Sequence, residues 1–192
     1  MKKLLITGFD PFGGESINPS WEAVKRLPDN IGEYTLYKLQ IPTIFGLAGK
    51  TVLEKAAEIA PDVIISVGQA GGRAAVTPER IGINVRDARI TDNAGVSPKD
   101  EVIAPDGPDG YFSTLPVKAM IAAITEAGLP AAISNTAGTF VCNDVLYTLL
   151  HHYQGSQVRC GFIHVPFLPE QGTPSLTLEQ TIQALTAAVS AL

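Results

Sequence analysis

The run Val63-Ile64-Ile65-Ser66-Val67, which passes straight into Gly68-Gln69-Ala70-Gly71-Gly72-Arg73, reads as a strand with no polar face emptying into a glycine turn. Such a strand must be covered above and below, as inside a parallel sheet with helices on both faces. The flanking segments agree. Upstream, Lys2 to Phe9 is a strand, and Asn18-Pro19 opens a short helix through Trp21, Val24 and Leu27. Glu33 to Ile41 is a second strand, and Thr43 is placed to cap a helix whose Leu47, Val52, Leu53, Ala56 and Ile59 share one face before Pro61. Downstream, Ile81 to Val85 alternates like a half-exposed strand. Pro116 to Ala127 is a helix stopped by Gly128, and Ala131 to Ser134 is a short strand. A helix over Cys142 to His152, a strand over Gln157 to Val165 and a capping box at Thr177 to Gln180 complete the pattern. The alternation predicts a single-domain three-layer α/β/α sandwich over residues 1–192, with a mostly parallel twisted sheet.

Composition narrows the function classes. A length of 192 residues with 45% apolar content suits one hydrophobic core. The 14 basic and 19 acidic residues form no like-charged run, so no nucleic-acid partner is expected. Leu4-Leu5-Ile6 after two lysines is too short for a signal peptide, and no apolar run is long enough to span a membrane. A soluble, cytoplasmic protein with no membrane partner is the expectation. Its two cysteines, Cys142 and Cys160, are then reduced thiols rather than a disulfide framework. Arg89 to Gly110 is a long polar stretch, more in keeping with a binding loop or lid than with filler.

In open α/β sheets ligands bind beyond the carboxyl ends of the strands. Four segments meet that condition: Thr7 to Gly14, Gly68 to Arg80, Ala137 to Asn143, and His164-Val165-Pro166. Cys142 stands where a glycine-containing turn enters a helix, so its sulfur faces unpaired N–H groups that also suit an oxyanion. A helix end stabilises an anion by about 0.3–1 kcal/mol, up to about 2 when partly buried. That alone does not ionise a thiol at neutral pH, so a histidine is expected beside it. His151 and His152 end a helix, where a cation suits the dipole and no loop converges. His164 ends a strand ahead of Pro166 and Pro169, which stiffen the adjoining loop, and is the better base. Glu79 is a candidate to orient it, the competing reading being a surface pair with Arg80. Cys160, inside an apolar strand, reads as core. Phe9 and Phe12 fit either two walls of an apolar pocket or two core rings.

Two longer stretches carry a resemblance. Gly68-Gln69-Ala70-Gly71 continuing to Val76-Thr77-Pro78-Glu79-Arg80-Ile81 and Asn84, and Ser134-Asn135-Thr136-Ala137-Gly138-Thr139-Phe140-Val141-Cys142-Asn143, are similar to the glutamate and cysteine motifs of the type I pyroglutamyl peptidases, also called pyrrolidone-carboxyl peptidases. Thr7 to Gly14 and Phe162 to Phe167 match as well, so the likeness covers nearly the whole chain. It implies Cys142 as nucleophile, His164 as acid and base, Glu79 as orienter and Arg89 near the oxyanion. It also implies a pyroglutamyl pocket from Phe9, Phe12, Asn18, Thr43, Gln69, Ile90, Phe140 and Val141. No cofactor and no metal are implied; the partners are peptides with an N-terminal pyroglutamate, and the assembly is a homotetramer. Gly82, where the family usually has alanine, and Thr91, where proline is common, depart from the pattern. Read without the resemblance, the glycine turns also admit a phosphate-dependent, nucleoside-phosphorylase-like transferase, and Cys142 a binding or redox-sensing module.

Overall fold

The computed structural model describes residues 1–192. The strands are β1 (Lys2–Phe9), β2 (Asn30–Ile31), β3 (Tyr34–Ile41), β4 (Val63–Gln69), β5 (Thr77–Pro78), β6 (Ile81–Ile83), β7 (Gly110–Phe112) and β8 (Arg159–Val165). The helices are α1 (Pro19–Val24), α2 (Leu47–Ile59), α3 (Val117–Glu126), α4 (Val141–His152) and α5 (Leu178–Ser190). Six strands form the main sheet in the order β2-β3-β1-β4-β8-β5. The β3, β1, β4 and β8 strands run parallel, with β2 and β5 antiparallel at the two edges.

The period-two alternation of strand side chains explains the layers. Leu4, Ile6, Val63, Ile65, Val67, Ile163 and Val165 point to one face, where they bury Val24, Met120, Ile124, Leu185 and Val189 of α1, α3 and α5. Leu5, Ile64, Cys160 and Phe162 point to the other, against Val52 of α2 and Val145 and Leu149 of α4. Two apolar cores thus sandwich the sheet. The apolar run in β4 is buried on both faces because it contributes to both of them.

Four local expectations need correction. Thr43 does not cap α2, whose N-cap is Gly46; its N–H and hydroxyl instead donate to Asp10 Oδ1, each at 2.7 Å. The segment Ile81 to Val85 does not join the main sheet, because β6 pairs with β7 in a separate two-stranded ribbon against α4. The partner strand β7 lies at the end of the polar Arg89 to Gly110 stretch, which has no apolar alternation to advertise it. Ala131 to Ser134 forms only isolated bridges, Val76 to Ala131 and Glu79 to Ser134. Last, α4 starts at Val141, which makes Cys142 its second residue.

Candidate active site

The parallel strands bring the ends of β4 and β8 together, with Gly68 directly opposite His164. On β8's other side β5 runs antiparallel, and the Glu79 N–H donates to Phe162 O at 2.9 Å. Glu79 thereby lies beside His164 although 85 residues separate them in the chain, and its Oε1 is 2.7 Å from His164 Nδ1. Both side chains are buried, and Phe162 covers the imidazole with ring centroids 4.7 Å apart. Cys142 arrives from the opposite direction, at the N-terminus of α4. Gly68 is what admits it: a Cβ there would fall 2.9 Å from Cys142 Sγ and 2.7 Å from the Phe162 ring.

The cleft in front of these groups has a volume of about 670 Å³ and is lined by Cys142, His164, Gln69 and Arg73 together with Phe12, Arg89, Ile90 and Phe140. That size suits a small ligand. Phe12, Phe45 and Phe140 form one aromatic cluster, Phe140 meeting Phe45 edge-on at 5.1 Å and Phe12 at 6.0 Å. Arg89 is exposed on the cleft wall with no ion pair.

Four of the expected pocket residues lie elsewhere. Phe9 is 2% exposed and packs on Phe162 inside the core. Asn18 is buried as the cap of α1, its Oδ1 accepting from the Ser20 N–H and hydroxyl. Thr43 is tied to Asp10, and the Val141 side chain is fully buried beneath α4. In each case the motif residue supports the loop or helix behind the cleft rather than facing it.

Burial disfavours the charged forms of both Cys142 and His164. Burial first, and the negative charge of Glu79 second, push the Cys142 thiol up to about 12, against opposing pulls from Arg73 and from its own backbone N–H. Burial also lowers His164, outweighing the opposite effect of Glu79. For Glu79 burial opposes ionisation, but the hydrogen bonds from His164 and Arg73 to Oε1 and the nearby His164 charge prevail and keep its carboxyl below the usual range. An ionised Glu79 accepts a hydrogen bond from the Nδ1–H of a neutral imidazole, which leaves Nε2 as the basic nitrogen. Burial thus works against the imidazolium expected beside the sulfur.

A model of the pyroglutamyl peptidase family matches residues 2–192. The chain belongs to the pyroglutamyl peptidase family. It is 55% identical to the pyrrolidone-carboxylate peptidase of Levilactobacillus brevis, over 99% of this chain and 97% of that one. The pyroglutamyl peptidase I of Bacillus amyloliquefaciens superposes with a TM-score of 0.96 at 46% identity, covering 100% of this chain and 96% of the other. The pyrrolidone carboxyl peptidase of Thermococcus litoralis superposes at 0.95 with 40% identity, covering 100% and 93%.

In this member of the pyroglutamyl peptidase family, Glu79 does not pair with Arg80. Its cation is Arg73, a residue whose role the sequence did not reveal. Arg73 Nη1 donates to Glu79 Oε1 at 2.8 Å and to Thr77 Oγ1 at 2.6 Å, while Nη2 donates to Thr136 O at 3.0 Å. It therefore ties the glutamate segment to the loop that leads into Cys142. The one available signal was its place after Gly71-Gly72, at the mouth of a strand-end turn. Asn143 does similar work one residue beyond the cysteine, accepting from the Ile83 N–H at 2.9 Å and donating to Ile83 O at 2.8 Å and Val85 O at 3.1 Å. His151 is hydrogen-bonded to Tyr111 at 3.0 Å, remote from the cleft. Gly82 packs against α4 so closely that an alanine Cβ would lie 3.0 Å from Leu146 Cγ. Nothing in the structure explains Thr91.

Proposed function

We propose that the chain is a cysteine exopeptidase that removes an N-terminal pyroglutamyl residue from peptides through a thioester on Cys142. The observation that carries the reading is the His164–Glu79 hydrogen bond of 2.7 Å at the floor of the cleft that also holds Cys142. Orienter, base and nucleophile then stand in the order that acyl transfer requires. Family membership supports the substrate.

His164 Nε2 takes the thiol proton as sulfur attacks the carbonyl that joins pyroglutamate to the next residue. The resulting oxyanion is received by the unpaired N–H groups at the start of α4. Arg89, on the cleft wall, adds positive charge nearby. The protonated imidazole passes its proton to the leaving nitrogen as the C–N bond breaks, and the thioester and the shortened peptide's amine result. Water then gives a proton to His164 and attacks the thioester; collapse of that intermediate returns the proton to sulfur and frees pyroglutamate. Glu79 holds Nδ1–H throughout and stabilises each imidazolium. The lactam ring, neutral and compact, fits among Phe12, Ile90, Phe140 and Gln69. The reading includes one catalytic domain, a reducing cytoplasmic setting that keeps the thiols free, and assembly as a homotetramer.

The test is release of a fluorescent amine from its pyroglutamyl amide by the wild type and by Cys142→Ala. Turnover that disappears in the variant supports the reading; an inert wild type, folded and reduced, refutes it.

A further inference from the structure

The loop after β8 brings Gln171 to the edge of the cleft, where a chain of amide hydrogen bonds has a definite polarity. The Gln171 N–H donates to Leu168 O at 2.9 Å, and the Leu168 N–H donates back to Gln171 Oε1 at 3.1 Å. A backbone N–H can only donate, so the side-chain atom facing it must be the oxygen, and Nε2 must point the other way. Nε2 lies 3.0 Å from Gln69 Oε1, with a weaker second acceptor, Glu15 Oε2, at 3.5 Å. Because Gln171 offers a donor there, Gln69 must present its oxygen in return. The Gln69 amide cannot turn over without setting N–H against N–H. Gln69 lines the cleft, and its own Nε2 has no partner within the protein.

We propose that Gln171 is a specificity-determining positioning residue: by locking the Gln69 amide it makes that wall of the cleft an N–H donor, aimed at the ring carbonyl of the pyroglutamyl group. The proposal rests on the peptidase reading above. The scissile carbonyl is taken by the start of α4, which leaves the lactam oxygen as the remaining acceptor of the pyroglutamyl ring. A free amide would spend part of its time offering oxygen to oxygen, and a locked one does not. Recognition of that oxygen separates pyroglutamate from proline, which has none.

Gln171→Glu is the informative variant. It keeps the side-chain length and an acceptor for the Leu168 N–H, but the carboxylate can only accept, so Gln69 turns its nitrogen toward it and its oxygen to the cleft. Steady-state constants for a pyroglutamyl amide are measured in the wild type, Gln171→Glu, Gln69→Leu and the double variant, beside the rate of Cys142 alkylation by iodoacetamide. The expected result is a KM raised about tenfold in Gln171→Glu, with kcat and alkylation changed less than about twofold. The double variant should match Gln69→Leu alone, since the relay acts only through that amide. An unchanged KM in Gln171→Glu, losses that add in the double variant, or slowed alkylation overturns the relay and leaves the peptidase reading standing. A wild type without turnover overturns both.

Discussion

Cys142 and Cys160 carry the same side chain, and both thiols are pushed up to about 12, yet they sit in regions built for opposite ends. Around Cys160 burial is the only cause: the residue is 1% exposed near the start of β8, in the core beneath α2 and α4. Around Cys142 burial is joined by charges of both signs, Glu79 raising and Arg73 lowering, and the sulfur borders a cleft that also holds His164. A raised thiol pKa thus does not distinguish a nucleophile from a core residue. A base within reach, N–H groups for the oxyanion and an open route do. The same strand, β8, holds the core cysteine at one position and, four residues on, the cleft histidine His164.

The contrast breaks most sharply at the two sulfurs. Cys142→Ala should lower kcat by at least about 10⁴-fold, whereas Cys160→Ala should leave kcat within about twofold and cost roughly 1–2 kcal/mol of stability, as small core truncations do. Equal losses in an assay of both variants would erase the distinction. Glu79→Gln comes next. It keeps the shape but favours the wrong imidazole tautomer, so kcat should fall about 10³–10⁴-fold with little change in KM; a KM effect alone would make Glu79 merely structural.

Arg73→Met sharpens the electrostatic side. Arg73 lowers both His164 and Cys142, so its removal raises both. With His164 as the proposed base, the imidazole must start unprotonated, so activity should rise as pH climbs through its pKa, and the acid limb of the pH–rate profile should move to higher pH in the variant. A kcat loss of about tenfold is expected at neutral pH; a limb that stays put or moves down would show that Arg73 acts by bracing alone. The smallest effect compares the two aromatic rings of the first loop. Phe12→Leu should raise KM by about three- to tenfold with stability within about 0.5 kcal/mol, while Phe9→Leu should cost about 1–2 kcal/mol in denaturant unfolding and spare KM. The opposite assignment would put Phe9, not Phe12, on the cleft.

Much of the molecule is legible in its sequence, and particular residues show why. The two-sided apolar run of β4 admits only a covered strand, so the layered parallel sheet follows from local pattern. Cys142 and His164 each stand one residue inside the end of an element, and that position marks them. Pattern leaves open the relationships at long range. Glu79 looks as well suited to Arg80 as to His164, because its burial depends on β5 pairing antiparallel with β8 at the sheet's edge. Phe9 and Phe12 are alike as letters, and their separation into core and cleft depends on which way β1 points its last side chain.

From the sequence by itself came the α/β class, the main strands and helices, the segments that converge and the choice of Cys142 and His164 as candidates, since these rest on periodicity, capping and strand-end position, all properties of short windows of chain. Only the tertiary structure decided the partner of Glu79, the bracing by Arg73, the polarity of the Gln171–Gln69 hydrogen bond and the burial that sets the surroundings of Cys142 and His164. The physical reason is the same for each: hydrogen-bond geometry and desolvation depend on what lies within a few ångströms in space, and the residues that meet there stand up to a hundred or so positions apart in the chain.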